Sequence, residues 1–391
     1  MKVAIVVNEL NIRGGTHKQV LRLCQYLKQE DIGFSLHTKW YDPEKTYPDF
    51  GQFPVEYLGK SLDGVSPESS LAARLKRRAV AAVEEIKLFR KIPKDADVVN
   101  IHDNELLLVT LLVKWFRRAK VVWQINDLPL YFQVGSSQYV KTGILSKPDR
   151  AFARFVAKRV DVITVNVSKN RERVQQYLNR EAKVFYCGVD VNDRLLPHSA
   201  QVACSEPIRL LSTGVFFPYR NYETLVCVVE KLRQSGHDAR LDIIGSTALD
   251  QAYAAKVRSL VEEKGMQEHV TIWGQVDDEK YCQLYNSADI FLFLNIDQSW
   301  GLAVFEAMSC GMPVLVSNSV GAIELLHHDE DALILDPKDV EGVCRSILQL
   351  TENPDYYTRI SDQASQAVKD YTWDKLYSEK MTALFEALTV E

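Results

Sequence analysis

The stretch DQSWGLAVFEAMSCGMPVLVS at residues 297–317 reads as a loop, a helix and a buried strand in immediate succession. An apolar run at 291–296 precedes it, and Ser299 is a suitable cap for the helix. The Gly-Met-Pro sequence at 311–313 ends the helix, and residues 314–316 begin another strand. Loops at the carboxyl ends of parallel strands bind ligands in open α/β sheets, so this order predicts a binding site.

The start of this helix suits a phosphate group. The first backbone N–H groups of a helix bind anions, and here they belong to Trp300, Gly301 and Leu302. Glu306 lies one turn deeper, where its carboxylate can accept hydrogen bonds from paired hydroxyls such as those of a ribose. The alternative is a common buried βαβ unit in which this glutamate has no special role.

The composition predicts a two-domain protein of the cytoplasm. A chain of 391 residues exceeds the size of a single core, so we expect two domains of about 190 residues each. The apolar segment at 1–7 is too short for a signal peptide, and no run approaches the length of about 18 residues that a membrane span needs. The seven cysteines are scattered without a Cys-x-x-Cys pair, which favours reduced thiols and argues against structural zinc.

Charge is distributed unevenly between the two halves. Residues 1–197 contain 32 Lys and Arg against 22 Asp and Glu, and the remaining residues contain 15 against 30. The segment 71–92 has apolar residues at helical spacing among its basic ones, so an amphipathic helix that meets an anionic membrane surface is one interpretation. A solvated helix face that packs on the first domain is the other. We do not expect nucleic acid as a partner, because the whole chain is acidic and carries no recognition motif.

Strands and helices alternate along the chain, which predicts parallel sheets built from βαβ units. We expect an N-terminal Rossmann-like domain at 1–195, a second Rossmann-like domain at 196–372 and a terminal helix at 373–391. Two doubly wound domains in tandem predict a cleft, with the glycine turns at Gly14-Gly15 and at Gly214 opening onto it. Neither turn is a complete Gly-x-Gly-x-x-Gly fingerprint, so a dinucleotide oxidoreductase is poorly supported.

Several ordered motifs resemble those of the family 4 retaining glycosyltransferases of GT-B fold. The segment QSWGLAVFEAMSCGMPV at 298–314 is similar to the family pattern of a Glu, seven residues, a second Glu, and then Ala-Met-Ala-x-Gly-x-Pro-Val. The segment GVFFPYRN at 214–221 is similar to a glycine and basic turn of the family. Gly321 with Glu324, the Gly-Val-Asp at 188–190 and Trp373 in the terminal helix also match. The resemblance covers essentially the whole chain.

The resemblance implies transfer of a sugar from a nucleotide diphosphate sugar to an acceptor hydroxyl with retained anomeric configuration. Arg220 would stabilise the leaving diphosphate, helped by backbone donors at Gly14-Gly15 and at the helix start of Gly301 and Leu302. Glu306 would bind the ribose, and the loop of Trp273 and Gln275 would contact the base. The alternatives are that Arg220 is only a surface residue and that Trp273 belongs to the core.

Three positions depart from the family pattern. Gln298 replaces the first glutamate, so the contact to the donor sugar is made by an amide or is supplied by Asp297. Val215 replaces an arginine, and Asn126 replaces a histidine that the family places beside the reacting sugar. His102 ends the preceding strand and is a substitute candidate, although a strand-end histidine with only local hydrogen bonds is the competing interpretation. The catalytic candidates are therefore Arg220, Gln298, Asn126 and His102.

The expected reaction requires no metal and no cofactor other than the donor substrate. The acceptor would attack on the same face from which the diphosphate leaves, because no residue is singled out as a covalent nucleophile. We expect a role in envelope polysaccharide or glycolipid assembly, with a sugar or lipid-linked acceptor, in the cytoplasm or on the inner face of the membrane. The acceptor would be recognised by the segments 40–70 and 131–147. The alternatives are a sugar-nucleotide 2-epimerase of GT-B fold and a nucleotide-sugar-binding subunit that has lost activity.

Overall fold

A computed structural model of the chain describes residues 1–59, 71–102, 104–126, 146–190, 195–197, 207–298 and 300–390. The chain divides into two compact units. The first unit comprises Met1–Cys187 and Trp373–Glu391, and the second comprises Gly188–Thr372.

Each unit is built on a parallel sheet. The first sheet has seven strands in the order β3-β2-β1-β4-β5-β6-β7, and the second has six in the order β10-β9-β8-β11-β12-β13. The strands of the first unit are β1 Lys2–Leu10, β2 Gly33–Tyr41, β3 Val55–Gly59, β4 Val98–His102, β5 Lys120–Ile125, β6 Val162–Val165 and β7 Lys183–Val184. The strands of the second unit are β8 Ile208–Thr213, β9 Ala239–Ile244, β10 Val270–Gly274, β11 Ile290–Phe293, β12 Val314–Ser317 and β13 Leu333–Leu335.

Helices cover both faces of each sheet, and their apolar sides form the two cores. The helices of the first unit are α1 Gly15–Gln29, α2 Leu71–Lys91, α3 Leu107–Phe116, α4 Ser146–Ala157 and α5 Ser168–Leu178. Those of the second unit are α6 Tyr222–Gln234, α7 Gln251–Glu263, α8 Asp278–Ser287, α9 Leu302–Ser309, α10 Val340–Glu352 and α11 Pro354–Val368. A π-helical turn, Asp374–Ser378, and the helix α12, Glu379–Val390, complete the first unit.

The division between the units differs from the predicted boundary at 195. The second unit already begins at Gly188, because the Val189 N–H donates to the carbonyl of Tyr371 at 2.8 Å and Val189 pairs with Thr372. The chain then returns to the first unit at Trp373, which is buried, and the π-helical turn after it packs against α1. The terminal helix is therefore part of the first core.

Three other local features differ from the sequence-based expectations. The strand β3 was not expected. It lies at the edge of its sheet, none of its five residues is fully buried, and its partly polar sequence lacks the apolar run of a central strand. The sequence also suggests Thr16 as the cap of the first helix, but this helix begins at Gly15 with Gly14 as its N-cap, so that suggestion is wrong. The helix α11 was not among the expected helices. Ser299, the predicted cap of α9, lies outside the described residues, and the N-cap is Gly301.

The strand orders determine where ligands can bind. In the second sheet the chain moves outward from β8 to β9 and β10, and then returns to place β11 on the other side of β8. The first sheet has the same reversal between β1 and β4. Loops at the carboxyl ends of strands diverge at such a switch point and leave a crevice. In the second unit these are the loops that carry Arg220 and Gln298.

Among the described residues, no helix has both the length and the apolar character needed to cross a membrane.

Candidate functional site

Gly214 directly follows β8 and allows the carboxyl ends of β8 and β9 to lie close together. Its N–H donates to the carbonyl of Ile244 at 2.8 Å, and the N–H of Gly245 donates to the carbonyl of Gly274 at 2.8 Å. A Cβ on Gly245 would overlap the carbonyl of Gly214, so the two backbones could not approach this closely with larger residues. The carboxyl edge of β8 to β10 is therefore a narrow row of glycine backbone.

Arg220 lies directly over Gly214. A Cβ on Gly214 would collide with the guanidinium of Arg220, and Gly214 has a φ of +151° that side chains disfavour. Arg220 is only 9% exposed, and its guanidinium lies 5.9 Å from the ring centre of Phe293. Among the described residues, the hydrogen-bond partner of the Arg220 guanidinium is an amide and no carboxylate pairs with it, and its Nε has no hydrogen-bond partner. A buried cation with only amide partners is poised for an anion.

Gln298 and Asn295 are those amide partners. Arg220 Nη1 donates to Gln298 Oε1 at 3.3 Å. In one orientation the Asn295 amide donates to the same Gln298 oxygen, and in the other its oxygen accepts from Arg220 Nη1 at 3.0 Å. In both orientations Asn295 forms a hydrogen bond with Arg220 or Gln298. The structure thus brings the predicted site residues Arg220, Gln298 and Gly214 together.

The loop that holds Gln298 is fixed by its neighbours on the second sheet. Asp297 has a φ of +57°, and its N–H donates to Ser319 Oγ at 3.2 Å. The N–H of Gly321 donates to the carbonyl of Gln298 at 3.1 Å, and the N–H of Ile296 donates to the carbonyl of Tyr219 at 2.6 Å. These bonds hold the Gln298 side chain against Arg220. Asp297 lies in the same loop, as predicted from its neighbouring position.

The start of α9 is packed tightly beneath this loop. Trp300 is 5% exposed and stacks on Phe305, with ring centres 5.4 Å apart. A Cβ on Gly301 would lie 2.9 Å from a ring carbon of Phe293, so this position requires a very small residue. Leu302 is the first helical residue, and no side chain caps the helix. The first turn of α9 therefore remains suited to receive an anion on its backbone N–H groups.

Glu306 is held by a tyrosine from the neighbouring helix. Tyr281 on α8 donates its hydroxyl to Glu306 Oε2 at 2.9 Å, and Glu306 is half-buried. Burial and the nearby Glu306 carboxylate raise the pKa of Tyr281 well above its usual value. Tyr281 also packs on Tyr285, with ring centres 4.6 Å apart. The tyrosine stays protonated and keeps donating to the carboxylate.

Gln275 lies in the loop after β10 and is exposed. Trp273 lies two residues before it, near the end of β10. Trp273 is 40% exposed, so it does not belong to the core, and its Nε1 donates to Asp242 Oδ1 at 2.6 Å. Lys280 Nζ lies 4.0 Å from the ring centre of Trp273. Trp273 is therefore a fixed surface residue beside the loop that was predicted to contact a base.

Asn126 in the first unit has a positioning role. Its amide nitrogen donates to Thr16 Oγ1 at 3.0 Å and to Gln19 Oε1 at 2.8 Å, and its oxygen accepts from Gln124 Nε2 at 2.9 Å. Because these bonds engage both ends of the amide, the expected catalytic role of Asn126 is not supported by its geometry. Asn126 instead connects the end of β5 to the first turn of α1. Asp127, which follows it, lies outside the described residues.

His102 also has a local hydrogen-bond partner. It is fully buried, and its Nε2 lies 2.7 Å from Asn100 Oδ1. Burial lowers the pKa of His102 to about 3, so the ring is neutral near pH 7. A buried neutral ring does not carry protons to a substrate, and the interpretation of a strand-end histidine with local bonds is the one that fits. Asp103 lies outside the described residues.

Gly14 and Gly15 lie at the start of α1, on the carboxyl side of β1. Gly14 has extended backbone angles, and neither glycine has a positive φ. The carbonyl of Gly14 accepts from the Lys18 N–H at 3.0 Å, and Gly15 is exposed. A Cβ on Gly14 would lie 3.2 Å from Nδ1 of His17, whose Nε2 is 2.9 Å from the carbonyl of Glu9.

Sequence reasoning missed Tyr281, Asn295 and Gly245 as site residues. Tyr281 and Tyr285 are four residues apart on a helix, which places them on one face, but nothing in the sequence connects that face to Glu306. Asn295 was included only as part of an apolar run. Gly245 carries the same strand-end signal as Gly214, and this signal could have been used.

Two family models match consecutive parts of the sequence. The model described as Glycosyltransferase Family 4 matches residues 13–193, and the model described as Glycosyl transferases group 1 matches residues 198–367. The first corresponds to most of the first unit, and the second corresponds to most of the second unit. The chain belongs to the group 1, family 4 glycosyltransferases.

Curated relatives are similar over part of the chain. An uncharacterised glycosyltransferase of Haemophilus influenzae is 26% identical over 47% of this chain and 51% of its own length. A GDP-mannose-dependent alpha-(1-6)-phosphatidylinositol monomannoside mannosyltransferase of Mycobacterium tuberculosis is 26% identical over 58% of this chain and 62% of its own length. The matches thus span about half to three fifths of the length of these relatives.

Solved structures are similar over the whole chain. The HepE protein of Anabaena, solved in complex with UDP, has a TM-score of 0.77 and 16% identity, and the match covers 99% of this chain and all of that one. The sucrose-phosphate synthase of Thermosynechococcus elongatus has a TM-score of 0.78 and 16% identity over 100% of this chain and 99% of that one. At this identity the likeness concerns the fold, which is GT-B.

Proposed function

We propose that this protein is a glycosyltransferase that transfers a sugar from a nucleotide diphosphate sugar to an acceptor hydroxyl and retains the anomeric configuration. Membership of the family supports the class of reaction. The HepE structures in complex with UDP and with UDP-glucose support a nucleotide sugar as the donor.

One observation carries the proposal. Arg220 is a buried cation over the Gly214 backbone, and no described carboxylate neutralises it. Burying an unpaired charge costs several kcal/mol, so such a site is retained where an anion binds it. A diphosphate at the carboxyl end of β8 would satisfy Arg220 and could also receive the first backbone N–H groups of α9.

The same groups explain the chemistry that we propose. As the bond between the anomeric carbon and the diphosphate breaks, negative charge grows on the leaving oxygen, and Arg220 stabilises it more in the transition state than in the ground state. The acceptor oxygen bonds to the anomeric carbon on the same face, and its proton passes to the leaving diphosphate. Arg220 and the start of α9 supply the positive charge in this scheme, which is why we propose that it needs no metal.

The other site residues would select the donor. Glu306, held by Tyr281, would accept hydrogen bonds from the ribose hydroxyls, and Gln275 would lie near the base. Gln298 and Asp297 would contact the transferred sugar. We assign acceptor recognition to the first unit, in the segments 40–70 and 131–147. Residues 60–70 and 131–145 of these segments lie outside the described residues.

The relatives suggest a biological setting. One acts on phosphatidylinositol monomannoside and another is an O-antigen chain mannosyltransferase of Escherichia coli. We therefore place the reaction in glycolipid or polysaccharide assembly. A sugar-nucleotide 2-epimerase is not favoured, because the family matches are to transferases.

The decisive experiment incubates the protein with UDP-, GDP- and ADP-sugars and follows each donor by NMR, with and without EDTA. Slow donor hydrolysis to a sugar whose first-formed anomer retains the donor configuration supports the proposal. An inverted first-formed anomer would contradict retention, and loss of turnover in EDTA would contradict metal independence. Epimerisation at C2 would identify an epimerase, and nucleotide binding without any turnover would identify an inactive binding subunit.

A further inference from the structure

Helices α2, α3 and α4 of the first unit expose an unusual number of large apolar side chains. Each of these side chains is more than a third exposed. They are Val80, Val83 and Ile86 on α2, Trp115 and Phe116 on α3, and Phe152 and Phe155 on α4. We call these seven side chains the apolar surface of α2–α4. Exposed apolar patches of this kind mark interaction sites on soluble domains.

Contacts between the helices make this surface continuous. The rings of Trp115 and Phe155 are 6.4 Å apart, which joins α3 to α4. Phe116 lies 6.3 Å from Phe89, which joins α3 to α2. Arg78 on α2 bonds Asp149 on α4 at 2.6 Å. The three helices therefore present one surface rather than separate apolar spots.

Basic residues surround the apolar surface. The segments 76–91, 107–118 and 147–159 contain fourteen lysines and arginines but only three acidic residues. Of those three, Glu85 is buried and accepts the N–H groups of Leu108 and Val109, and Asp149 is paired with Arg78. Lys91 and Lys114 are paired with acids outside these segments. The three segments therefore contain eleven more basic than acidic residues.

Two arginines lie over aromatic rings at this surface. The Arg159 guanidinium carbon is 3.4 Å from the ring centre of Phe155, and that of Arg117 is 4.2 Å from the ring centre of Phe89. Each guanidinium also donates to a backbone carbonyl, Arg159 to that of Phe155 at 2.7 Å and Arg117 to that of Phe116 at 3.3 Å, so basic and aromatic groups are held side by side at this surface. Aromatic rings beside arginines suit the boundary between lipid headgroups and acyl chains.

We propose that the apolar surface of α2–α4 and its basic border bind the first unit to an anionic lipid membrane. The aromatic and aliphatic side chains would enter the headgroup region, and the arginines and lysines would pair with lipid phosphates. Each basic residue near an anionic surface contributes about a five-fold factor to partitioning. The charge argues for a membrane over a neutral apolar partner, and the seven apolar side chains argue against a purely electrostatic partner.

The test is sedimentation of the full chain with vesicles of phosphatidylcholine alone and of phosphatidylcholine mixed with phosphatidylglycerol, at low and high salt. Binding to the mixed vesicles that weakens with salt is expected. Trp115→Ala combined with Phe155→Ala should lower binding by at least about ten-fold. Arg90→Glu combined with Arg118→Glu should also lower vesicle binding by at least about ten-fold, and it should reduce the salt dependence of that binding.

Matched controls lie on the second unit. Leu249 is 68% exposed, and Arg258 is an exposed arginine on α7, so Leu249→Ala and Arg258→Glu should leave vesicle binding unchanged. Nucleotide binding measured on every variant reports whether the second unit is intact, so a failure of the membrane surface is separable from a failure of the proposed reaction. Equal binding to both vesicle types, or no binding at low salt, would overturn the proposal. A concentration-dependent dimer that the Trp115 and Phe155 changes abolish, without vesicle binding, would identify a second copy as the occupant instead.

Discussion

The hydroxyl of Tyr281 on α8 donates to Glu306 Oε2 on α9 at 2.9 Å, so the carboxylate is held before any nucleotide arrives. One carboxylate oxygen is fixed by this bond, and the carboxylate has further lone pairs to offer to ribose hydroxyls. This arrangement connects two helices that the sequence places 25 residues apart. It makes Tyr281 a positioning residue for the donor site.

The side chains of Glu306 and Tyr281 should contribute to the free energy of nucleotide binding in a non-additive way. Glu306→Ala should cost on the order of 1 to 3 kcal/mol of nucleoside diphosphate binding, because it removes a charge-assisted hydrogen bond. Tyr281→Phe should cost less, and the double change should cost less than the sum, as calorimetry of the four proteins would measure. Tyr356→Phe removes a surface hydroxyl bond to Asp329 and is the matched control. Additive costs would show that Tyr281 does not act through Glu306.

Gly214 should be essential for donor binding because it admits the Arg220 guanidinium. Gly214→Ala introduces a Cβ into the space of that group, whereas Gly236 has a φ of +95° and open space around its Cβ position. Both changes should cost about 1 to 2 kcal/mol of unfolding free energy from backbone strain. Only Gly214→Ala should also reduce kcat/KM for the donor strongly. If both variants kept full turnover, Arg220 would not depend on the Gly214 contact.

Gln298 should govern the choice of sugar more than the binding of the nucleotide. Gln298→Glu places a carboxylate within reach of Arg220, where the amide oxygen now lies at 3.3 Å. The ratios of kcat/KM among donors with the same base and different sugars should change by about ten-fold or more, since a charged hydrogen bond differs from a neutral one. The affinity for the free nucleoside diphosphate should change less. Unchanged ratios would remove Gln298 from the sugar contact.

Acid should destabilise the first unit through His102. Burial lowers the pKa of this histidine to about 3, below the ordinary value of 6.5, so the unfolded chain binds the proton more tightly than the folded one. Stability is therefore lost as pH falls below the unfolded pKa, by about 2 kcal/mol between roughly pH 7 and pH 5. Urea unfolding at the two pH values should show this loss, and His102→Gln should reduce it. An undiminished loss in the variant would assign the acid sensitivity to other groups.

The sequence was informative about strand ends and less informative about what surrounds them. The Gly214 turn and the loop before α9 were predicted from glycine turns and short apolar runs, which mark the ends of parallel strands. The roles of Arg220 and Gln298 were expected only from the family resemblance. The edge strand β3 was missed because its exposed, partly polar sequence has no apolar run. The suggestion that Thr16 caps the first helix was wrong. Its hydroxyl instead accepts a hydrogen bond from Asn126, which is 110 residues away in the chain.

Burial and distant hydrogen bonds at two catalytic candidates were not predictable from the sequence. His102 and Asn126 were chosen for their positions after strands, but a sequence does not show that one is fully covered and that the amide of the other is engaged at both ends. Tyr281 was missed for the opposite reason, because its partner comes from a different helix. Contacts between distant elements depend on packing, which local patterns do not contain.

The most direct measurement is calorimetric titration of the protein with UDP, GDP and ADP, compared with the matching nucleosides and repeated on Arg220→Gln. At least one nucleoside diphosphate should bind the unchanged protein, and its affinity should fall by about ten-fold or more in the variant, because a charged contact to the diphosphate is lost. The matching nucleoside should bind both proteins equally. Equal binding of the diphosphate to both proteins, or no binding of any diphosphate, would contradict the assignment of Arg220 as the cation of a nucleotide-sugar site.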